Sequence, residues 1–139
     1  MAGSKLMRLT VVTPYREFIN TECDLVELNT YSGSVGIMYG HTPVIMALTP
    51  GLLRYRQGNA YKNAFVSAGY ATVHKHMVTV IANAAEWPEE IDVERAKASL
   101  ERNLDKYNKA ESNLVKVHAK HAMRRARARI HVATTYKTN

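Results

Sequence analysis

Residues 89–102 read EEIDVERAKASLER, and the reading of this stretch decides the fold. Asp92 is a residue type that caps helices, and Val93, Ala96, Leu100, Leu104 and Tyr107 then recur at three- and four-residue steps. That is the stripe of an amphipathic helix. Trp87 and Pro88 stand just before it, and from Asp92 to Val132 there is neither glycine nor proline. Pro88 is expected to end whatever structure precedes it. The stretch therefore marks a change of architecture, with one region over 1–88 and another over 89–139.

Upstream the period is two. In LMRLTVV, Met7, Leu9 and Val11 point one way while Arg8 and Thr10 point the other. Val78, Val80 and Ala82 share a face in HMVTVIAN. Gly and Pro interrupt at short intervals, at Pro14, Gly33, Gly36, Gly40, Pro43, Gly51, Gly58 and Gly69. Many short strands with turns at this spacing predict a sandwich or barrel. Positive backbone angles are expected at Gly33, Gly36 and Gly40. The turn HKHM, residues 74–77, is unusual in lacking Gly, Pro, Asn and Asp.

Downstream, Val115, Ala119, Ala122, Ala126 and Ile130 form a second helical stripe. Polarity rises at NKAESN, where a turn is expected, with Asn108 as C-cap and Ser112 as N-cap. The second stripe is mostly alanine. Alanine lets helix axes approach but buries little area, and burial stabilises by only about 25 cal/mol per Å2. The fold class is thus β followed by α: a sandwich or barrel, then an antiparallel two-helix hairpin of marginal stability.

The 139 residues carry a net charge of +7, unevenly placed. Residues 1–91 hold seven Lys/Arg and seven Asp/Glu, whereas residues 92–139 hold twelve and five. The hairpin therefore calls for an acidic partner. No apolar run is long enough to span a membrane, and the N-terminus lacks the pattern of a signal or transit peptide. The single cysteine, Cys23, cannot form an internal disulfide. No metal site is expected: His118 and His121 are three apart on a helix but lack a third ligand.

Several segments, taken in order, resemble the epsilon subunit of the F-type ATP synthase. LTVVTPYREF is similar to that family's opening strand. SGSVGIMYGHTPVIMALTPGLLR is similar to its Gly-Ile-x-Pro-Gly-His-x-Pro bend and the strand that follows, with Tyr39 where the family usually has Pro. FVSAGYATV and VTVIANAAE resemble its last strands, EIDVERAKASLER the start of its hairpin, and RRARARIHV the hairpin's end. The resemblance implies a sandwich of about ten strands and a mobile C-terminal hairpin. It implies a non-catalytic rotor subunit whose sandwich binds the gamma subunit and the c-ring, peripheral on the cytoplasmic face of a bacterial membrane. It implies that the hairpin, when extended toward the catalytic head, blocks ATP hydrolysis.

The stretch 89–102 now has two readings. In the plain one Asp92 caps a helix, Glu89, Glu90 and Glu94 suit its positive end, and Arg95 is solvated. In the other, an antiparallel hairpin brings Arg95 and Arg102 together with Arg125 and Arg129. Four like charges cost free energy unless an anion joins them, and a triphosphate suits bidentate guanidinium contacts. The resemblance implies regulatory ATP at such a site, with no cofactor required. It places the family's motif on Ile91, Asp92, Arg95 and Ala96, its upstream acid on Glu86, and its further arginines on Arg102, Arg125 and Arg129. No Gly-rich phosphate loop or catalytic base is visible.

Two further surfaces carry expectations. The bend at Gly33, Ser34, Gly36, Gly40, His41 and Pro43 is, by the resemblance, the contact with the c-ring and gamma. Lys120, Arg124 and Arg127 make a cationic helix, and the resemblance offers the catalytic beta subunits, which carry an acidic segment, as its partner in the extended state. The alternative function is a stand-alone nucleic-acid-binding module. Against it, no aromatic residues interleave with the arginines. Against membrane insertion, the apolar face of the helix is alanine.

Overall fold

The computed structural model describes residues 5–137. The outer ends of the two regions, 1–4 and 138–139, lie outside the described residues. The chain divides into two compact units, residues 1–87 and 88–139.

The first unit holds ten strands: β1 (Met7–Val12), β2 (Glu17–Cys23), β3 (Leu25–Thr30), β4 (Gly33–Ile37), β5 (Val44–Leu48), β6 (Gly51–Gln57), β7 (Ala60–Val66), β8 (Gly69–Val73), β9 (Met77–Ala82) and β10 (Ala85–Glu86). They pair in the order β10-β7-β6-β3-β5-β8-β9-β1-β2, with β4 also on β3. Pairing is antiparallel except between β1 and β9, where Arg8 lies opposite Met77 and Val12 opposite Ile81. The alternation read from the sequence faces the core: Met7, Leu9, Val11, Val78, Val80 and Ala82 are all buried. Leu53, Val26, Leu28 and Val73 join them from other strands. β2, at one end of the strand path, is tied to β6 where Gln57 Nε2 donates to Thr21 Oγ1 (2.9 Å) and Glu22 O (2.8 Å). Phe18 packs on Trp87, their ring centres 4.6 Å apart.

The glycine-rich bend differs from expectation. It contains a strand, β4, and Gly36 sits inside that strand opposite Glu27. Gly33 (φ 118°) and Gly40 (φ 90°) do need positive φ, as does Gly58 (φ 65°), but Gly36 does not. The HKHM turn needs no special residue because none of its members has positive φ. Instead it closes by a bond from His74 N–H to Met77 O (2.8 Å).

In the second unit a short 3-10 turn over Pro88–Glu90 leads into α1 (Val93–Lys109) and α2 (Asn113–Tyr136). Asp92 caps α1 and Ser112 caps α2, each accepting the amide three residues on. Asn108 is not a C-cap: α1 runs on to Lys109 and is capped by Ala110, whose N–H reaches Tyr107 O. The inner stripe also shifts. Ala96, Ala119 and Ala126 are buried as expected, but Leu104 (44% exposed) and Val115 (45%) are not, and Met123 takes an inner place beside the alanines.

Candidate functional site

The candidate site is built on the two helices. Ala96 on α1 and Ala126 on α2 are buried inner positions. Arg95 precedes Ala96 by one residue and Arg125 precedes Ala126 by one, so at about 100° per residue each turns by the same amount from the inner line. The helices run in opposite directions and face each other, and these two reversals bring both arginines to the same flank of the hairpin. Arg102 and Arg129 fall on that flank by the same count, and Lys106 joins them. Within α1 and α2 no carboxylate does. Glu94, Glu101 and Asp105 turn outward or to the other flank, and α2 contains no acidic residue at all. Glu94 and Asp105 bind Lys97 (3.7 Å) and Lys109 (3.0 Å).

Level follows from the short link between the helices. Counting back from Lys109 and Asn113 at about 1.5 Å per residue sets Arg95 between Arg125 and Arg129, and Arg102 about 10 Å further along. Three arginines thus share one level and the fourth stands apart, so convergence is partial. Arg95, Arg102 and Arg125 are exposed and Arg129 is half-buried. Asp92 holds Arg95 N–H at 3.0 Å through its side chain, and Ile91 is buried. Glu86 lies in β10, within the other unit.

Lys120, Arg124 and Arg127 occupy the opposite side. Arg127 follows Ala126 and therefore turns away from Arg125, and Lys120 and Arg124 stand on that other side with it. One helix thus presents two separate cationic surfaces, which match the two sets of residues separated in the sequence.

The bend residues also divide. β4 pairs Gly33 with Thr30 at one end and Ile37 with Val26 at the other. Gly33 and Ser34 therefore sit at one end of the sandwich, and Gly40, His41 and Pro43 at the opposite end. Sequence reading missed an apolar surface on β5, β8 and β9. Ala47, Tyr70 and Ile81 lie in register across it, with Ile45 71%, Tyr70 61% and Ile81 56% exposed. Tyr31, Ala47, Tyr70 and Ile81 border a groove of about 360 Å3. The exposed members of the alternating pattern carry the signal, because a strand facing solvent normally shows polar residues there. Among the described residues no three His, Cys, Asp or Glu are placed to hold a metal ion, and no helix is long and apolar enough to cross a membrane.

Comparison with known proteins covers both units. Residues 6–88 match the family "ATP synthase, Delta/Epsilon chain, beta-sandwich domain", and residues 89–134 match "ATP synthase, Delta/Epsilon chain, long alpha-helix domain". The ATP synthase epsilon chain of Caldanaerobacter subterraneus subsp. tengcongensis is 35% identical over 134 residues, 96% of this chain and 97% of that one. The chloroplastic epsilon chain of Spinacia oleracea is 33% identical over 129 residues, 93% of this chain and 96% of its own. In fold the chain is similar to one in the mitochondrial ATP synthase of Euglena gracilis (TM-score 0.77, 22% identity, 88% of this chain and 78% of that). It is also similar to one in the central stalk and c-ring of the Tetrahymena thermophila enzyme (TM-score 0.61, 19% identity, 97% and 98%). The nucleic-acid-binding alternative loses its support, because the family match accounts for the basic helix together with the sandwich.

Proposed function

The chain belongs to the ATP synthase delta/epsilon chain family, as an epsilon chain, and from that premise we propose that it is a non-catalytic, regulatory subunit of the central stalk. Its sandwich docks on the gamma subunit and the c-ring, which puts it at the periphery of the membrane complex, on the cytoplasmic face of a bacterial membrane. The exposed Ile45, Tyr70 and Ile81 support a protein partner there, since contiguous apolar surface on a folded protein marks an interaction site. The hairpin acts as a brake on ATP hydrolysis when it leaves its compact form, with Lys120, Arg124 and Arg127 attracted to an acidic segment of the beta subunits.

The compact hairpin binds ATP as a regulatory ligand. The observation that carries this is the cationic flank: Arg95, Arg102, Arg125 and Arg129 lie on one side of the hairpin. Such an array is favoured by a bound polyanion, and guanidinium groups suit phosphate oxygens. Asp92 supplies an acceptor suited to the adenine amine. Binding of this kind shifts the balance toward the compact form by no more than the ligand's preference for it.

Calorimetric titration of the protein with ATP, with and without magnesium, tests the site. Saturable binding is expected, weakened at least about tenfold by Arg125→Ala or Arg129→Ala. Unchanged affinity in both variants removes the arginine site. The brake is tested separately: deleting residues from Asp92 onward is expected to raise hydrolysis by the assembled synthase, and unchanged hydrolysis refutes it.

A further inference from the structure

We propose that the cationic flank of the hairpin carries a second anion subsite, formed by Arg102, Lys106 and His118, and that the two subsites together take a linear phosphate chain longer than a triphosphate. A contact across the helices sets their register: Lys116 Nζ lies 5.8 Å from the centre of the Tyr107 ring. Counting from that pair, His118 stands level with the gap between Arg102 and Lys106. His118 precedes the buried Ala119 by one residue, as Arg125 precedes Ala126, so it turns to the same flank. Arg102 and Lys106 precede the half-buried Asn103 and Tyr107 in the same way. The step from Arg95 to Arg102 is seven residues, and so is the step from Arg125 back to His118. Each helix thus repeats its basic position after about 10 Å, and the hairpin holds two cationic groups in line.

The second group lacks an anion of its own. Arg102, Lys106 and His118 are all exposed. Among the described residues none of these three side chains makes an ion pair or a hydrogen bond. The acid beside them in sequence, Asp105, turns outward and binds Lys109 at 3.0 Å. Arg102 and Lys106 are four apart on one helix, a spacing at which like charges repel. An anion relieves that repulsion, and guanidinium and ammonium groups suit phosphate oxygens. Histidine supplies a ring N–H donor in either neutral tautomer, so it serves the site without carrying charge.

The spacing selects the occupant. The second subsite rests on the reading of Arg95, Arg125 and Arg129 as a phosphate site and needs no adenine. With adenine at Asp92 and phosphates at the level of Arg95, a phosphate tail points along α1 toward Arg102 and Lys106. A phosphate chain carries charge at every unit of an unbranched line, so one molecule satisfies both groups. An acidic peptide matches less well, because it spends about 3.3 Å of backbone on each residue and so delivers its charge less densely. A single nucleic-acid strand also matches less well. Such strands are held by aromatic stacking, whereas Tyr107, beside the second group, is half-buried on the inner line with Lys116 over its ring.

The test is calorimetric titration of the full chain with inorganic tripolyphosphate and with long linear polyphosphate, both expressed per phosphate so that extra units alone confer no advantage. The long chain is expected to bind at least about tenfold more tightly, because it engages both groups at once. In the double variant Lys106→Gln, His118→Gln that advantage is expected to vanish, with the helical circular dichroism unchanged. Arg125→Ala is expected to weaken both ligands. Arg124→Gln with Arg127→Gln, on the opposite face, is expected to keep the advantage. Equal affinity for the two chains overturns the proposal, as does an advantage that survives the double variant or is lost in the opposite-face variant. So does a single-stranded oligonucleotide of equal charge that binds more tightly than polyphosphate, which makes nucleic acid the occupant. ATP bound without any advantage for the long chain removes the second subsite alone, whereas the expected polyphosphate pattern without ATP binding keeps it and removes the adenine reading.

Discussion

Asp92 accepts the backbone N–H of Arg95 at 3.0 Å through its own carboxylate, so the residue that starts α1 and the first arginine of the cationic flank are one hydrogen bond apart. Capping and ligand reading therefore fall on one side chain, and substitution can separate them. Asp92→Ala removes the cap and is expected to cost about 1 kcal/mol of hairpin stability. Asp92→Asn keeps a capping oxygen and is expected to leave stability nearly unchanged. Urea unfolding followed by the helical signal checks both. If the carboxylate also reads adenine, Asp92→Asn weakens ATP binding without unfolding the hairpin; calorimetry on that variant decides between the two readings of residues 89–102.

The alanine-rich contact between α1 and α2 leaves no room for bulk. Ala126 is 3% exposed. Ala126→Leu is expected to force the helices apart, at about 1 to 3 kcal/mol. The loss should appear in hydrogen exchange of hairpin amides, with the amides of β1, β8 and β9 as protected as before. Equal loss of protection in both units would contradict the division into two compact units.

Gly69 marks the tightest approach in the sheet. A Cβ there would come 2.1 Å from Ile81 O and 2.8 Å from Ala82 Cα, both backbone, so the strand pair itself must move. Gly69→Ala is expected to destabilise the sandwich by about 3 kcal/mol. Gly36→Ala is the control, since its Cβ meets only Leu25 Cδ1 at 3.6 Å and its φ is not positive. Thermal unfolding of the two variants should differ by several degrees or more.

Burial pushes the Cys23 thiol up to about 11 from an ordinary 9.0, with the nearby Asp24 charge adding to the rise and a backbone hydrogen bond from Leu25 opposing it. The folded chain therefore holds the thiol proton over a range where the unfolded chain releases it. The thiol's contribution is full below pH 9 and is lost as pH rises toward 11, with a slope of about 1.4 kcal/mol per pH unit from this group. Cys23→Ala should flatten the fall in stability between those limits. The same burial predicts that iodoacetamide labels the native thiol far more slowly than the urea-unfolded one.

The sequence carried the order of elements well where a local rule sufficed. Strand alternation identified Met7, Leu9 and Val11 as inward, and the caps at Asp92 and Ser112 followed from side-chain chemistry that acts within three residues. It misled where partners were distant. Gly36 looked like a turn residue, yet β3 supplies a pairing edge that extends it. Val115 matched the helical period, but it lies in the first turn of α2, beside the link between the helices, and stays exposed. For the site, the four arginines were legible as two pairs. That Lys120, Arg124 and Arg127 face the other way became clear only once the buried line through Ala119, Met123 and Ala126 was known.

The parallel pairing of β1 with β9 also bears on how the chain reaches its native state. The first strand cannot complete its hydrogen bonds until Met77–Ala82 has been synthesised, because Arg8 must find Met77 across most of the unit. Its only earlier partner is β2. Contacts this remote in sequence slow folding, whereas a hairpin closed by a three-residue link can assemble rapidly. On the ribosome, the β1–β2 ribbon must wait with one edge unpaired while the intervening strands emerge, and that edge is the part of the nascent chain most in need of protection from neighbouring polypeptides.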